Sequence, residues 1–478
     1  MFSLTTRQQV AGWIAFVISI VIAVPAFLIL LAPDDLTGYE VRTPGHDGRP
    51  ARRQREETPV DFTGHFQTFD GMPSTLPGAW PRFRGVNYDN IAADVPPLAD
   101  AWGPDGPEAL WAIDLGEGYA GPAIYNGRVY ILDYDEEMRA DALRCFSLDD
   151  GREIWRHAYE VEIRRNHGMS RTVPAVGGGF VVSMGPRCHV LCLDAETGAL
   201  QWGIDLQREH GTTEPLWYTG QCPLIDGKHV ILAPGGPDAL LMAVELATGD
   251  VVWKTPNPRG WNMSHSSIMP MTLAGKNMYV YAAAGGVVGV SSEADDVGTL
   301  LWEAPWDAQI VAPSPVAVGD DRILALAGYG AGAMFIEVRA DGDGFDAREL
   351  SRHRPREGIA AEQHTPIVYD NFIYAIMPKD AGAMRAQFVC HRLDGERVWS
   401  SGQDNRFGLG PWLLADDKFY VLDDEGMLYL LRASSERYEL LDKAQVLQGH
   451  ESWGPLALAG NRLLARDLTH MVCLDVGD

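Results

Sequence analysis

The chain is short of positive charge. It has 39 Lys and Arg against 65 Asp and Glu, a formal net charge of -26. So acidic a surface repels phosphate backbones, which excludes nucleic acid as a natural partner. Catalytic signatures are missing as well. There is no G-x-S-x-G, no phosphate-cradling G-x-x-x-x-G-K and no H-E-x-x-H, and these are the forms that nucleophile elbows, P-loops and zinc helices take. The histidines are scattered without zinc spacing, so no metal site is read from the sequence. Cysteine is scarce, six in 478 residues. Cys145, Cys192, Cys390 and Cys473 recur before acidic turns and read as small buried residues. Cys188 and Cys192 lie about 13 Å apart on an extended strand, beyond disulfide reach unless Cys188 sits in a folded-back loop.

Residues 8–33 lack charge altogether, and 12–32 read GWIAFVISIVIAVPAFLILLA. At 1.5 Å per residue this run reaches roughly 30 Å, one hydrocarbon thickness. No A-x-A site follows it and the first cysteine is Cys145. The expectation is an uncleaved anchor over 10–33, with a short cytoplasmic N-terminus over 1–9. Asp34 and Asp35 are soon followed by Arg49, Arg52, Arg53 and Arg55, so loop charge does not decide the orientation. A short tail before a large domain places the N-terminus inside, the anchor in an inner membrane and the rest outside the cytoplasm. Residues 34–79 are rich in charge, Pro and Gly and read as a flexible linker.

From residue 80 one pattern recurs. HVLCLDAETGALQW (189–202) parallels LLMAVELATGDVVW (240–253), ALRCFSLDDGREIW (142–155) and QFVCHRLDGERVW (387–399). Gly151, Gly198, Gly249, Gly298 and Gly395 are each followed four residues later by a tryptophan: Trp155, Trp202, Trp253, Trp302 and Trp399. Glycine supplies the positive φ of a tight hairpin, and the indole offers a broad apolar face to a neighbouring sheet. Units open near Pro122, Pro174, Pro223, Pro270, Pro315, Pro366, Pro411 and Pro455, 44 to 52 residues apart. Each interval suits four short strands, which predicts an all-β, eight-bladed propeller over 80–478. The last unit has no closing strand. Residues 110–115, LWAIDL, with Trp111 in the docking role, supply one and close the ring. The stretch ADGDGFD (340–346), with Asp341, Asp343 and Asp346, fails the helical calcium-loop pattern and reads as an acidic turn.

The repeated LCLDAETGALQW resembles the PQQ-like (pyrroloquinoline quinone) repeat, the tryptophan-docking blade of the quinoprotein alcohol dehydrogenase-like superfamily. The same blade builds the propeller lipoprotein of the outer-membrane barrel-assembly machinery. AWPRFRGVNYDNI (79–91) resembles the opening segment of membrane-anchored PQQ-like propeller proteins, and the likeness covers residues 80–478. The resemblance implies the fold. It does not imply bound PQQ, because the adjacent cysteines and the C-x-x-C-H of the dehydrogenases are missing and their calcium ligands have no matching positions.

The segments before each unit-opening residue should line one channel mouth. They contribute Arg171, Thr172, Trp217, Tyr218, Gln221, Trp261, Asn262, His265, Glu362, Gln363, His364, Arg406, His450, Glu451 and Trp453. Convergent aromatics, cations and amides suit a polar, planar or anionic ligand, while GYAGP before Pro122 reads as merely small. The first expectation is a membrane-tethered scaffold that binds envelope proteins or a ligand. The alternative is a PQQ- and calcium-dependent dehydrogenase passing electrons to a separate carrier. In it Trp217, Trp261 or Trp453 would stack on the cofactor, Arg171 or Arg406 would meet its carboxylates, and Glu362 or Glu451 would act as base or calcium ligand.

Overall fold

The computed structural model describes residues 13, 14, 16–21, 59–165, 167–342 and 344–478. The chain divides into two compact units, Met1–Pro59 and Val60–Asp478. In the first, residues 13, 14 and 16–21 are helical and expose Trp13, Ile14 and Phe16. Most of the expected anchor, the linker up to residue 58, and Asp343 lie outside the described residues. No described helix is long and apolar enough to cross a membrane.

The second unit is an all-β propeller of eight sheets, each with four blade strands in order from the axis outward. Blades 1 to 7 span residues 123–160, 175–205, 224–255, 269–305, 316–353, 367–400 and 412–445. Three early strands complete the plan. β1 (His65–Thr68) adds a fifth, outermost strand to blade 1. It falls inside the expected linker, so order begins before residue 80. β2 (Ile91–Ala92) pairs in parallel with the innermost strand of blade 7. β3 (Glu108–Asp114) pairs with His470–Asp475 and supplies the outer strand of blade 8. This pairing joins the two ends of the ring and removes its open edge.

The docking tryptophans explain the glycine spacing. Four of the five glycines meet the indole of the preceding blade, not the one four residues on. A Cβ at Gly151 would lie 2.7 Å from Trp111, at Gly198 2.7 Å from Trp155, at Gly249 2.9 Å from Trp202 and at Gly298 2.8 Å from Trp253. These glycines hold φ of 69°, 72°, 77° and 81°, so turn geometry and close approach both require them. The residue facing each indole across its own hairpin is small. Cys145 faces Trp155, Cys192 faces Trp202, Cys390 faces Trp399 and Cys473 faces Trp111. Ala243 and Gly289 play that part for Trp253 and Trp302. All six cysteines are free and buried. Cys188, at φ 62° in a loop, sits with Sγ 2.9 Å from Thr219 Oγ1 rather than in a disulfide.

Blade 5 breaks the rule. Its outer strand Gly344–His353 has no tryptophan, and Phe335 takes the place against Gly395. Trp302, in blade 4, packs on Gly289 of its own blade and donates to Met278 Sδ at 3.2 Å. Trp111, Trp202 and Trp399 instead donate to carbonyls of the next blade: Leu148 at 3.0 Å, Leu246 at 2.9 Å and Ser434 at 3.0 Å.

Around the axis runs a belt of blade-to-blade hydrogen bonds. Val173 N donates to Cys222 Sγ at 3.2 Å, Cys222 N to Ser267 Oγ at 3.0 Å, Ser267 N to Ser314 Oγ at 3.0 Å, and Ser314 N to Thr365 Oγ1 at 2.8 Å. The belt residue directly precedes Pro174, Pro223, Pro315 and Pro366. In blade 4 it is Ser267, so that unit opens at Ile268. The expected opening at Pro270 is thus two residues late; Pro270 lies inside the strand Met269–Leu273.

Candidate functional site

Strand direction gives the propeller two distinct faces. The turns after each innermost strand lie on one, and the loops entering those strands lie on the other. Residues 74–92 cross the first face as a plug. Trp80 exchanges two 2.8 Å backbone bonds with Ile124 of blade 1. Val176 N of blade 2 donates to Pro81 O at 2.8 Å, and Leu414 N of blade 7 donates to Asn90 O at 3.1 Å. The Arg84 side chain runs to blade 6, where it donates to Thr365 O at 3.1 Å and Pro366 O at 2.9 Å. It also holds the plug's own turn through Tyr88 O at 2.8 Å and Asp89 O at 3.1 Å. Burial lowers its pKa to about 10, offset in part by Asp89. Among the described bonds, carbonyls alone accept from this guanidinium, so Arg84 acts as a pin.

The opposite mouth carries a girdle of side chains. Asp424, in a turn of blade 7, accepts from Trp453 Nε1 at 2.7 Å. Trp453 packs on Tyr119 with ring centroids 5.0 Å apart, and Tyr119 Oη donates to Glu451 at 2.6 Å. The Arg171 guanidinium lies 5.0 Å from the Tyr119 ring, and its Nε donates to Trp217 O at 2.5 Å. Trp217 then stacks on Tyr329 of blade 5 at 5.4 Å. Lys379 of blade 6 lies 4.6 Å from the Tyr329 ring and pairs with the buried Glu362 at 2.7 Å. His265, leading into blade 4, lies against Gly220; burial and then Arg171 lower its pKa to about 4. Burial, and next the bond to Glu451, raise the Tyr119 hydroxyl well above its ordinary range.

Left-handed backbone recurs at this mouth. Trp217, Tyr218, Tyr329 and Glu451 hold φ of 66°, 74°, 55° and 56°. Non-glycine residues in the left-handed region cost of order 1–3 kcal/mol each and persist where surrounding contacts over-determine them. Trp217, Tyr329 and Glu451 are girdle members.

Of the residues expected at the mouth, Arg171, Trp217, His265, Glu362, Glu451 and Trp453 come together there. Others stay outside this chain of contacts. Trp261 is core, flat against Gly286, where a Cβ would lie 2.2 Å from the indole. Gln221 is fully buried and ties Ala233 N at 3.0 Å to Tyr281 Oη at 3.3 Å. Thr172 Oγ1 donates to Met184 O at 2.7 Å. Tyr218 is buried and donates to Arg164 O at 2.5 Å. Asn262 is exposed and bridges Ala284. Arg406 caps its own loop through Gln403 O at 3.0 Å and Arg385 O. His450 is exposed. His364 and Gln363 lie deeper, each with a buried atom, Nε2 and Oε1, that has no partner. Burial and, last, Arg84 lower the His364 pKa to about 4.

Tyr119 corrects the reading of GYAGP as merely small. It stands three residues before Pro122, as Arg171 stands before Pro174, and that shared offset was the available signal. Tyr329, Lys379 and Asp424 come from the second turn of their blades, where no repeat spacing marks them.

Calcium-bound PQQ needs free acidic oxygens beside a cation and a flat aromatic. Here Glu362 is held by Lys379, Glu451 by Tyr119, and Asp424 by Trp453 and by Leu409 N at 2.7 Å. Among the described residues no three His, Cys, Asp or Glu side chains could hold one metal ion. The residues present do not fit that group.

The profile described as outer membrane protein assembly factor BamB matches residues 92–214 and 139–390. BamB from Moraxella catarrhalis is similar in structure, 15% identical, with 77% of this chain and 97% of that one covered at a TM-score of 0.50. A quinohemoprotein alcohol dehydrogenase from Comamonas testosteroni is 12% identical, with 84% and 81% covered at 0.57. A europium-containing methanol dehydrogenase is 11% identical, with 82% and 89% covered at 0.54. No curated protein matches the sequence. At these identities the solved structures share the fold alone. The repeat-by-repeat match across more than half of its length places the chain in the PQQ-like propeller family whose profile is described as outer membrane protein assembly factor BamB.

Proposed function

We propose that this protein is a binding scaffold of the cell envelope, tethered to a membrane by its N-terminal segment and holding its propeller outside the cytoplasm. One observation carries the reading: the mouth side chains are engaged with one another across the blades. Asp424, Trp453, Tyr119, Arg171, Trp217, Tyr329 and Lys379 form one chain of contacts. Such a rim presents a shaped surface to a macromolecule, with Leu216 at 57% and Tyr329 at 50% exposure. The family's namesake is an assembly factor, which agrees with a docking role. The tether rests on the uncharged run 8–33 and on exposed Trp13 and Phe16 in its described helical part.

The test places a photo-crosslinking residue at Leu216, at His450 and, as a control on the outer strand of blade 3, at Val252, each in the full chain in its own cells. A discrete adduct with an envelope protein from Leu216 or His450, absent from Val252, supports the reading. The same diffuse products from all three positions overturn it. Titration of the purified protein with PQQ and calcium checks the competing dehydrogenase reading. Calcium-dependent binding near one equivalent would replace the scaffold by that enzyme. Retention in the pellet after alkaline carbonate washing supports the tether, and release removes it.

A further inference from the structure

A cleft opens on the plug face, between the plug and the inner turns of blades 2 to 4. Its volume is about 420 Å3, and Arg82, Tyr88, Gly177, Ile225, Asp226 and Pro270 line it. This is within the range of pockets that hold small ligands, roughly 300–1,000 Å3. One wall belongs to the plug. There Arg82 Nη1 donates to Tyr88 Oη at 2.5 Å and the guanidinium lies 5.1 Å from the Tyr88 ring. Tyr88 is fixed in turn by φ of 60° and by its hydroxyl reaching Ile225 O at 3.4 Å. Arg82 Nε is buried and has no hydrogen-bond partner. The facing wall carries Asp226, which is exposed and accepts from Tyr279 Oη at 2.5 Å through Oδ2. The floor between them is apolar, with Leu224 and Ile225 buried and Pro270 beside them.

We propose that this cleft binds the C-terminal end of an extended peptide, with Arg82 on the terminal carboxylate and Asp226 on a backbone N–H of the preceding residue. A ligand here is best met if it offers an anion, a hydrogen-bond donor and an apolar body. A peptide terminus with an apolar last side chain has all three. A free inorganic anion leaves the floor uncovered and Asp226 unmet, and an anionic lipid surface is opposed by Asp226 and by a net charge of -26. The inference rests on the reading that the protein docks a protein partner, and it names the part of the partner that this face takes.

The experiment uses the purified full chain and N-terminally fluorescein-labelled pentapeptides, randomised over Ala, Val, Leu, Phe and Ser at the last three positions. One pool ends in a free carboxylate and the other in an amide. Anisotropy should report binding of the free acid below about 1 mM, and at least about tenfold weaker binding of the amide. Arg82→Gln should weaken the free acid by a similar factor. Gly177→Leu is the second variant. Its backbone is not in the left-handed region and a Cβ there has Ile225 at 3.5 Å as its nearest contact, so the new side chain fills the cleft without strain. It should abolish binding while thermal unfolding stays unchanged. Equal binding of acid and amide, no binding of either pool at 5 mM (roughly the -3 kcal/mol limit), or unaltered binding by Gly177→Leu overturns the proposal. None of these outcomes touches crosslinking at Leu216, so failure of the cleft and failure of the scaffold are separate results.

Discussion

Arg84 donates to Pro366 O at 2.9 Å across 282 residues of sequence, and with its bond to Thr365 O it pins the plug to blade 6. Arg84→Met keeps an unbranched apolar stem but leaves those carbonyls, and Tyr88 O and Asp89 O, without their donor. The expected loss is about 3 kcal/mol, typical of removing one partner from a buried charged network. A urea midpoint within error of the parent would show that water or a shifted plug replaces the guanidinium.

The glycines that receive the tryptophans should resist replacement. Gly151→Ala adds left-handed strain and a Cβ 2.7 Å from Trp111. Gly179→Ala adds strain only, since at φ 88° its Cβ meets nothing within 4 Å. Left-handed strain costs roughly 1–2 kcal/mol, and the clash adds another 1–3 kcal/mol. Gly151→Ala should therefore unfold at clearly lower denaturant than Gly179→Ala. Equal midpoints would mean that the indole moves aside freely.

The cysteines should be silent in the folded protein. Burial raises the thiol pKa of Cys192 to about 12 and of Cys222 to about 11, and all six cysteines are buried and free. A thiol reagent at pH 8 should titrate none in the native state and all six after denaturation. Cys145→Ala should cost less than about 1.5 kcal/mol, whereas Cys145→Leu, opposite Trp155, should cost about 1–3 kcal/mol by overpacking. Rapid reaction of even one native thiol would contradict the packing described.

Stability should rise with pH between about 4 and 6.5. His189, His265 and His364 have pKa values lowered to about 4 from 6.5, each chiefly by burial. Below 6.5 the unfolded chain takes up protons that the folded chain refuses, so folding loses up to about 1.4 kcal/mol per pH unit for each histidine until about pH 4. Asp141 works the other way. Burial raises its pKa to about 7 from 3.8, so its contribution is full at low pH and is lost as pH rises through that window. Among the groups shifted most, three histidines outweigh one aspartate. Urea midpoints at pH 4.5, 5.5 and 6.5 should climb, and Asp141→Asn should climb more steeply. A flat profile in both proteins would show that these groups are hydrated.

The repeat was legible because blade chemistry is local. A turn needs a positive φ, a hairpin alternates apolar residues, and both leave a mark at fixed spacing, so eight blades and their docking tryptophans followed from the chain alone. Even there the pairing was not visible. The spacing joins Gly151 to Trp155, yet Gly151 meets Trp111 and Trp155 meets Gly198, because an indole reaches across to the next sheet rather than along its own hairpin. That Trp302 donates within its own blade, to Met278 Sδ, was likewise read only from the structure.

The site was less legible. Positions before each unit opening marked Arg171, Glu451 and Trp453, but the same rule also marked Gln221 and Trp261, which face between sheets. Period and composition determined the architecture, since they record what each blade needs for itself. The tertiary structure alone decided that Tyr119, Tyr329 and Lys379 complete the girdle and that residues 74–92 seal the opposite face. These are contacts between segments up to hundreds of residues apart, and no local spacing encodes them.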